Sequence, residues 1–315
     1  MPAFSATAPG KVILFGEHSV VYGQPAIAVP VMQVYARAIV VAEPKSPRGL
    51  VRISAPDVGL ETTLDSLPGD HPLAVVISKA AAAIHVSNIP ACSLQVNSTI
   101  PIASGMGSGA AVSVATLRAL SAFWGHPFNE AQISKLVYQA EQIYHGIPSG
   151  IDNTVITYAK PVYFVKGKRV EILSAKRPFT LVIGDSGVKS PTSVAVGAVR
   201  EAWENDPQKF EQLFEAAGAI AVSARKAIRS GKVEALGPLM NENHTLLSQM
   251  GVSSAELDTL VEAARAAGAI GAKLSGAGRG GSMIALVQEE VSDAVSTALS
   301  KAGAVRTIVT EISKP

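Results

Sequence analysis

Three glycine-rich segments contain the residue types that could bind phosphate. They are Pro9–His18 (the first segment), Pro101–Ala111 (the second) and Lys273–Gly281 (the third). The second leads into a mostly apolar run, Gly105–Trp124, which predicts a buried helix. Glycine allows close backbone approach, and a helix N-terminus offers unpaired N–H groups to an anion. The second segment is therefore a candidate phosphate loop; a tight turn with close helix packing is the alternative.

Two familiar nucleotide motifs do not explain these glycines. A Walker A motif is absent, because neither Gly-Lys pair, at 10–11 and 231–232, is followed by Ser or Thr. A GxGxxG string at Gly276, Gly278 and Gly281 precedes a strand-like run rather than a helix. The Rossmann context is missing, so the string indicates a tight loop packed against a ligand or a neighbouring backbone.

Two carboxylates and two basic residues near these segments could do chemistry. Asp152 lies in a turn-rich stretch and Glu141 on the helix before it. Taken singly, Asp152 is better explained as a helix N-cap and Glu141 as part of a solvated helix face. Lys11, in a glycine-flanked turn, could be a surface lysine, and His18 a buried, hydrogen-bonded histidine. Cys92, in a predicted strand, is interpreted as a small buried hydrophobe.

Composition limits the classes of function. The chain has 315 residues, 48% of them hydrophobic, which is enough for a large core in one or two domains. The net charge of +2 comes without a basic tract, so nucleic acid is not an expected partner. The single cysteine excludes a disulfide framework and a multi-cysteine zinc site.

The N-terminus lacks a signal-peptide pattern, and the longest uncharged stretch, Ala80–Leu117, is broken by turn formers. We expect a cytoplasmic protein without a membrane span.

Hydrophobic patterns predict a mixed α+β protein of two lobes. Predicted strands are Ala26–Val41, Leu50–Ser54, Cys92–Ile100, a pair within Pro161–Leu173, Phe179–Ile183, Ala272–Leu274, Ser282–Val287 and Val305–Val309. Predicted helices are Leu73–Ala83, Gly105–Trp124, Glu130–Tyr144 with Asn129 as N-cap, Thr192–Trp203, Pro207–Ile228, Ser254–Ala267 and Glu290–Ala302. The lobe boundary is expected near residues 175–190, giving domains 1–180 and 181–315.

The three segments, in this order, resemble the signature motifs of the GHMP kinase superfamily, which includes galactokinase, homoserine kinase, mevalonate kinase and phosphomevalonate kinase. Pro9–Tyr22, continuing through residues 23–28, is similar to the first motif of the branch that phosphorylates mevalonate. Glu141–Asn153 (EQIYHGIPSGIDN) is similar to its catalytic stretch, and Asn243–Leu247 with Gly251-Val252 to its region before the third motif. The resemblance covers nearly the whole chain.

The resemblance implies a fold and a reaction. The N-terminal lobe would resemble ribosomal protein S5 domain 2, and the C-terminal lobe would be ferredoxin-like, with ATP and mevalonate meeting in the cleft between them. The implied reaction is transfer of the ATP γ-phosphoryl to the 5-hydroxyl of mevalonate, giving 5-phosphomevalonate and ADP in isoprenoid biosynthesis. Mg²⁺ is the implied cofactor, and a homodimer is an assembly that the resemblance allows.

The resemblance also implies roles for individual residues. Asp152 aligns with the catalytic aspartate, Lys11 with the motif-one lysine, and Glu141 with a magnesium ligand, to which Ser108 is added. The implied ATP-binding residues are Pro101, Ala103, Ser104, Gly105, Met106, Gly107, Ser108, Gly109 and Ala110. The implied substrate-binding residues are Glu17, His18, Ser149, Gly276 and Ala277.

The sequence departs from the family pattern at two positions. Related enzymes usually carry Gly-Ser-Ser in the second segment, where the second serine is a magnesium ligand; this chain has Gly109 there. Arg279 stands where glycine is common in the third motif. The first departure leaves open whether Ser108 or water completes the metal shell.

Three other functions remain as alternatives. Phosphomevalonate kinase should carry extra basic residues for the substrate phosphate, and only Lys189 and Arg200 are candidates. A GHMP-fold sensor need not retain Lys11, Glu141 and Asp152. A Rossmann dehydrogenase depends only on the misplaced GxGxxG string. The sequence also does not separate a base role for Asp152 from an electrostatic one.

Overall fold

The computed structural model describes residues 3–86, 88–145 and 148–313, without the side chains of Tyr144 and His145. Gly146 and Ile147, inside the stretch that resembles the catalytic motif, therefore lie outside the described residues. The described strands are β1 (Ala3–Phe15), β2 (Ala26–Ala42), β3 (Val51–Ala55), β4 (Leu60–Thr63), β5 (Cys92–Ser98), β6 (Val162–Phe164), β7 (Glu171–Ile172), β8 (Phe179–Asp185), β9 (Gly271–Ser275), β10 (Ser282–Val287) and β11 (Arg306–Ile312). The described helices are α1 (Pro72–Ala83), α2 (Ser108–Phe123), α3 (Glu130–His145), α4 (Ile151–Tyr158), α5 (Thr192–Asn205), α6 (Pro207–Ser230), α7 (Leu236–Gln249), α8 (Ala255–Ala266) and α9 (Ser292–Lys301).

All the predicted strands and helices are confirmed, with ends that shift by up to a few residues. The structure adds β1, β4, α4 and α7, which the pattern does not predict. The turn expected around Lys11 is wrong, because β1 runs straight through Pro9 and Gly10. Helix α7 accommodates Pro238 in its first turn, where the missing N–H leaves no helix hydrogen bond unmade. No helix among the described residues is long and apolar enough to cross a bilayer.

The chain divides into two compact units, and neither is continuous in sequence. Unit 1 comprises Met1–Gly10, Val34–Ile100 and Gly107–Ala159, and unit 2 comprises Lys11–Gln33, Pro101–Met106 and Lys160–Pro315. The first and second glycine-rich segments thus each contribute residues to both units. The domain boundary expected between residues 180 and 181 stays a prediction.

Unit 1 places a layer of helices beside a mixed sheet. Strand β5 pairs antiparallel with the second half of β2 and parallel with β3, which in turn pairs antiparallel with β4. Along β2, buried Val34, Ala36, Ala38 and Val40 alternate with more exposed residues, so one face of the strand enters the core. Helices α1, α2, α3 and α4 pack against one another, and α2 also contacts β5.

The helices of unit 1 that matter most for the site begin at identifiable signals. Helix α3 begins with a reciprocal cap: Gln132 N donates to Asn129 Oδ1 and Asn129 N donates to Gln132 Oε1, each over 3.0 Å. The predicted Asn129 cap is confirmed. Helix α4 begins after Gly150, whose φ is +89°, so the N-cap alternative for Asp152 is wrong: Asp152 lies within the first turn. Cys92 is fully buried in β5, as expected, and burial raises its pKa to about 12.

Unit 2 contains a four-stranded antiparallel sheet in the order β11-β8-β10-β9. Numbered along the chain, the order is 4-1-3-2, the split βαβ order of ferredoxin-like folds. Helices α8 and α9 pack on this sheet, and α7 contacts β9. Elsewhere in the unit, the first residues of β2 pair with β6, and β6 pairs with β7. This sheet matters for function because the third segment is the connection from β9 to β10.

Candidate active site

The third segment is a loop whose backbone passes very close to its neighbours. Gly276, Gly278 and Gly281 have φ values of +90°, +77° and +73°. A Cβ on Gly278 would lie 2.0 Å from Val252 O, and one on Gly281 would lie 2.9 Å from Ser104 O. The glycines therefore serve close approach to neighbouring backbone, as the sequence indicates. The Rossmann alternative has no support here, because β10 and not a helix follows the loop.

Arg279 is the exception in this loop. Its φ is +58°, a left-handed value that is uncommon for a residue with a side chain. Its backbone N donates to Val252 O over 2.7 Å and its Nε to Gly251 O over 3.3 Å. The departure from glycine at this position is thus accommodated by hydrogen bonds to the turn that follows α7.

Every second residue of the third segment from Lys273 to Ala277 makes a contact with the first segment. Ser275 Oγ accepts a hydrogen bond from Ile13 N and donates one to Ile13 O, each over 3.0 Å. His18 Nε2 lies 2.9 Å from Ala277 O, and since a carbonyl only accepts, Nε2 is the donor. Lys273 Nζ donates to a carboxylate oxygen of Glu17 and to Leu274 O. The end of β1 and the turn after it are therefore fixed on the third segment.

The first half of the second segment lies against the same loop. Lys11 N donates to Met106 O over 3.1 Å, and Ser282 Oγ donates to Ser104 O over 2.9 Å. Ser104 Oγ in turn donates to Pro101 O over 2.9 Å. Unit 2 thus brings together the third segment, Lys11–His18 of the first, and Pro101–Met106 of the second. Of the predicted ATP-binding residues, those up to Met106 belong to this group.

The remaining predicted ATP-binding residues form the N-terminus of α2 in unit 1. Gly107, with φ +75°, precedes the helix, which begins at Ser108 and includes Gly109 and Ala110 in its first turn. The first helical hydrogen bond runs from Ala111 N to Gly107 O, so the preceding N–H groups have no partner within the helix. A Cβ on Gly109 would meet no described atom within 4 Å, so the position has room for a side chain.

Unit 1 also carries the predicted metal ligand Glu141 and the predicted catalytic residue Asp152, on neighbouring helices. Glu141 on α3 is 6% exposed, which makes the solvated-face alternative wrong, whereas Asp152 on α4 is half-buried. Asn153 Nδ2 donates to Ser134 O and Ser134 Oγ over 3.0 and 2.9 Å, tying α4 to α3. Ser149 Oγ accepts from Ile151 N over 3.3 Å and so holds the start of α4.

Arg118 links α2 to the other end of α4. Its guanidinium donates to Thr157 O in the last turn of α4 over 2.6 Å and to Thr7 O over 2.8 Å. Carbonyls at a helix C-terminus are unpaired, and a cation there is favourable. Sequence reasoning does not identify Arg118 or Asn153, because their partners are backbone atoms and a serine far away in sequence.

Burial dominates the electrostatics of the unit 2 site. Lys11 is 3% exposed, so the surface-lysine alternative is wrong. Burial raises the pKa of Glu17, while the charges of Lys273 and Lys11 act to lower it. Burial also lowers the pKa of His18 to about 4, so the imidazole is neutral near pH 7. The expectation of a buried, hydrogen-bonded His18 is confirmed.

Helix α7 supports the edge strand that leads into the loop. Asn241 Oδ1 accepts from Ala272 N over 3.1 Å, and His244 Nδ1 accepts from Leu274 N over 3.3 Å. His244 Nε2 lies 3.2 Å from Asp258 Oδ1, and burial lowers the His244 pKa to about 4. The neutral ring therefore accepts at Nδ1 and donates at Nε2. These side chains replace a neighbouring strand at the open edge of β9.

The donor set in unit 1 fits a magnesium ion shared with phosphate. Mg²⁺ prefers oxygen donors and keeps several water or phosphate ligands, using only one or two carboxylates. The described residues contain no group of three or more His, Cys, Asp and Glu side chains that could hold a metal alone. The buried Glu141 carboxylate and the Ser108 hydroxyl supply oxygen donors of the required kind.

Comparison with known proteins identifies the family. The GHMP kinases N terminal domain matches residues 74–160, and the GHMP kinases C terminal domain matches residues 224–305. A mevalonate kinase of Pyrococcus furiosus is 38% identical, with 98% of this chain and 96% of that protein aligned. The chain belongs to the mevalonate kinase family of GHMP kinases. The predicted two-lobed α+β GHMP kinase fold is thereby confirmed.

Solved structures agree with membership of the mevalonate kinase family. The crystal structure of L. major mevalonate kinase in complex with R-mevalonate has a TM-score of 0.83 and 28% identity, covering 98% of this chain and 96% of that chain. Phosphomevalonate kinase of Streptococcus pneumoniae, in complex with phosphomevalonate and AMPPNP, has a TM-score of 0.84 with 18% identity, covering 98% and 100%. At that identity the second match shows a shared fold only. Sequence identity, rather than shape, therefore separates the two kinds of kinase.

Proposed function

We propose that this chain transfers the γ-phosphoryl group of ATP to the 5-hydroxyl of mevalonate, giving 5-phosphomevalonate and ADP. The observation that carries the proposal is the 38% identity to a curated mevalonate kinase over 98% of this chain. The rival, phosphomevalonate kinase, has less support. Of its two candidate basic residues, Arg200 already pairs with Glu204 on α5 at 3.0 Å.

The second segment is the proposed ATP-binding loop. The N–H groups at the start of α2 that have no partner within the helix, together with the positive dipole end there, suit the phosphates. The proposed residues are Pro101, Ala103, Ser104, Gly105, Met106, Gly107, Ser108, Gly109 and Ala110. GHMP kinases use ATP, generally with Mg²⁺, and Glu141 and Ser108 are the proposed protein ligands of the ion. When bound, Mg²⁺ neutralises charge that develops on the phosphates.

Asp152 and Lys11 are the proposed catalytic residues. Phosphoryl transfer depends mostly on positioning and on charge stabilisation. Asp152 would accept the proton of the 5-hydroxyl or orient that hydroxyl for attack. Lys11 would stabilise negative charge on the attacking oxygen. The roles come from the family motif, and the firm attachment of α4 to α3 through Asn153 supports a positioned carboxylate.

The proposed substrate-binding residues are Glu17, His18, Ser149, Gly276 and Ala277. Support for part of this set is the contact between His18 and Ala277, which gives a neutral, oriented imidazole next to the third segment. The side chain of Glu17 is fully buried, so its contribution would be electrostatic rather than direct. The cytoplasmic location and the homodimer stay predictions.

A coupled ADP-release assay tests the proposal. The enzyme is given ATP and Mg²⁺ with mevalonate, 5-phosphomevalonate, homoserine or galactose, and the product is identified by NMR. We expect turnover selective for mevalonate with the phosphate on the 5-oxygen. Turnover on another alcohol alone would replace the proposed substrate, and ATP binding without turnover on any would favour the sensor.

The variant Asp152→Asn tests the catalytic assignment. We expect turnover to fall by about 10²–10⁴-fold, the usual contribution of a general base, while ATP binding stays largely intact. ATP binding is measured by calorimetry and turnover by the coupled assay. Asp293→Asn, at an exposed aspartate on α9, is the matched control. Normal turnover in Asp152→Asn would remove Asp152 from the mechanism.

The variant Glu141→Gln tests the metal assignment. Loss of the carboxylate charge should raise the magnesium concentration required for half-maximal activity, because a neutral amide is a weaker ligand for a hard ion. The readout is a magnesium titration at saturating ATP. Glu130→Gln, at the exposed start of the same helix, should leave the titration unchanged. Identical titrations for both variants would exclude Glu141 as a ligand.

A further inference from the structure

One strand of unit 2 carries a buried cation that the proposed reaction does not use directly. The Lys273 and Glu17 side chains are both 0% exposed and form an ion pair. The Lys273 ammonium also donates to Leu274 O over 2.6 Å. Glu17 Oε2 has no hydrogen-bond partner among the described residues. Two ionisable groups are thus buried away from water, and within the described part of the chain one carboxylate oxygen lacks a hydrogen bond that would offset its lost hydration.

Stability alone does not account for this pair. Replacing a buried ion pair by apolar side chains of similar volume is often neutral or stabilising, whereas removing one partner is strongly destabilising. The fold would therefore tolerate an uncharged pair at these two positions. The presence of two ionisable side chains at these positions points instead to a requirement of the site.

The position of the pair shows which part of the site it would affect. Lys273, Ser275 and Ala277 alternate along the third segment, and each contacts the first segment: Glu17, Ile13 and His18 respectively. The Ser275 and Ala277 contacts use a hydroxyl and a backbone carbonyl, which fix the position of the backbone. The Lys273 contact is the one of the three that brings charge. It holds the residue immediately before His18.

Lys11 is a second cation near the same carboxylate. It is buried on β1, two residues before Ile13, and its charge acts to lower the pKa of Glu17. Glu17 therefore interacts with two lysines, one on the proposed catalytic strand and one on β9. An ionised Glu17 carboxylate paired with Lys273 would also attract the Lys11 side chain and so help to position it.

We propose that Lys273 is a positioning residue for phosphoryl transfer, which acts through Glu17 to hold Lys11 and His18 in their working arrangement. The inference rests on the proposed function, because Lys11 and His18 are placed in the reaction by that proposal. Lys273 itself, being fully buried, does not touch the substrate.

The surrounding charges define the expected pH behaviour. Lys273 and Lys11 are the charged groups that act on Glu17, and Arg279 acts on the neighbouring His18. His244, which accepts a hydrogen bond from Leu274 N at the edge of β9, is neutral near pH 7, and the charge of Lys273 contributes to lowering its pKa. Removing the Lys273 charge takes away the main force that keeps Glu17 ionised. Glu17 would then bind a proton at higher pH, and the acid limb of the rate profile would move upward.

A double-mutant cycle tests the inference with the full-length enzyme. The proteins are wild type, Lys273→Met, Glu17→Gln and the double variant, with Lys301→Met as a control at an exposed lysine on α9. The readouts are kcat and the KM values for mevalonate and ATP from pH 5 to 9. If Lys273 acts through Glu17, the two effects are not additive.

We expect Lys273→Met to lower kcat/KM for mevalonate by at least about tenfold and to move the acid limb to higher pH, with the KM for ATP within about twofold of wild type. In the Glu17→Gln background, the same substitution should cost less than about twofold. Lys301→Met should match wild type.

The inference is overturned if Lys273→Met keeps the wild-type kcat/KM and acid limb, or if its effect is the same with and without Glu17. It is also overturned if the double variant regains full activity, because that would make the pair purely structural. If Lys273→Met does not fold, the double variant, which leaves no unpaired charge, decides: a kcat/KM for mevalonate at least about tenfold below wild type supports the inference, and a wild-type value overturns it. A wild type that makes no product from mevalonate would instead refute the proposed function, and the inference with it.

Discussion

The substitution Gly278→Ala should destabilise the third segment by an amount that can be worked out from two terms. Gly278 has φ +77°, and an L residue in the left-handed region costs about 1–2 kcal/mol. The added Cβ would lie 2.0 Å from Val252 O. That carbonyl already accepts a 2.7 Å hydrogen bond from Arg279 N, so moving it away would weaken a second contact. Overpacking of this kind costs about 1–3 kcal/mol, which gives a total of about 2–5 kcal/mol.

A matched control separates the two terms. Gly125, which follows α2, has the same φ of +77°, but its Cβ would meet no described atom within 4 Å. Gly125→Ala therefore carries the backbone cost without the steric one, and the change in unfolded-chain entropy is the same for both variants. The difference between the variants should be about 1–3 kcal/mol in the free energy of unfolding.

Thermal unfolding of the purified variants measures that difference. For a domain of this size class, 1 kcal/mol corresponds to about 2–4 °C in Tm. Gly278→Ala should therefore unfold at least about 2 °C below Gly125→Ala. It should also raise the KM for mevalonate, because Ala277 is the neighbouring residue. Equal Tm values for the two variants would refute the close contact between Gly278 and Val252.

Two further substitutions test the support of the site. Arg118→Met removes charge-assisted hydrogen bonds to Thr7 O and Thr157 O and should lower the free energy of unfolding by about 3 kcal/mol. Thermal unfolding measures the effect, and Arg118→Lys should be intermediate. A wild-type Tm for Arg118→Met would contradict this prediction. His18 and His244 have pKa values lowered to about 4, so the unfolded chain binds protons more readily than the folded one. The contribution of these histidines to the free energy of unfolding should be fully present above about pH 6.5. It should decrease as the pH falls toward 4, by on the order of 3 kcal/mol per histidine. His244→Asn should flatten the dependence of Tm on pH, and an unchanged curve would show that His244 does not titrate in this range.

Local sequence patterns predict those strands and helices of this fold that the patterns themselves cause to form. Alternation along β2 and the apolar run of α2 reflect burial that any strand or helix of this composition needs. The Asn129 cap is a contact with Gln132, three residues away, so the sequence is sufficient to place it. The three glycine-rich segments also stand out in the sequence, because φ values above zero and close approach favour glycine strongly.

Long-range contacts explain what local patterns miss. Pro9-Gly10 has the composition of a turn, but β1, which pairs with β2, continues through both residues. Lys11 and Glu141 look like surface residues, and only the folded chain buries them. Lys273 gives no local signal, since its partner Glu17 lies 256 residues away in sequence. Family resemblance therefore implies the roles of individual residues in the site, whereas the contacts that hold these residues in place are visible only in the folded chain.

The bonds between Ile13 and Ser275 have a consequence for how the protein is made. They join residues 262 positions apart, so unit 2 needs one of the first parts of the chain and one of the last. A ribosome adding about 5–20 residues per second takes about 13–50 s to produce that interval. During that time the apolar residues 12–15 emerge without their final neighbours. Closing so long a loop is also entropically slow. Expression at reduced temperature, or together with chaperones that shield this strand, should therefore raise the yield of folded enzyme.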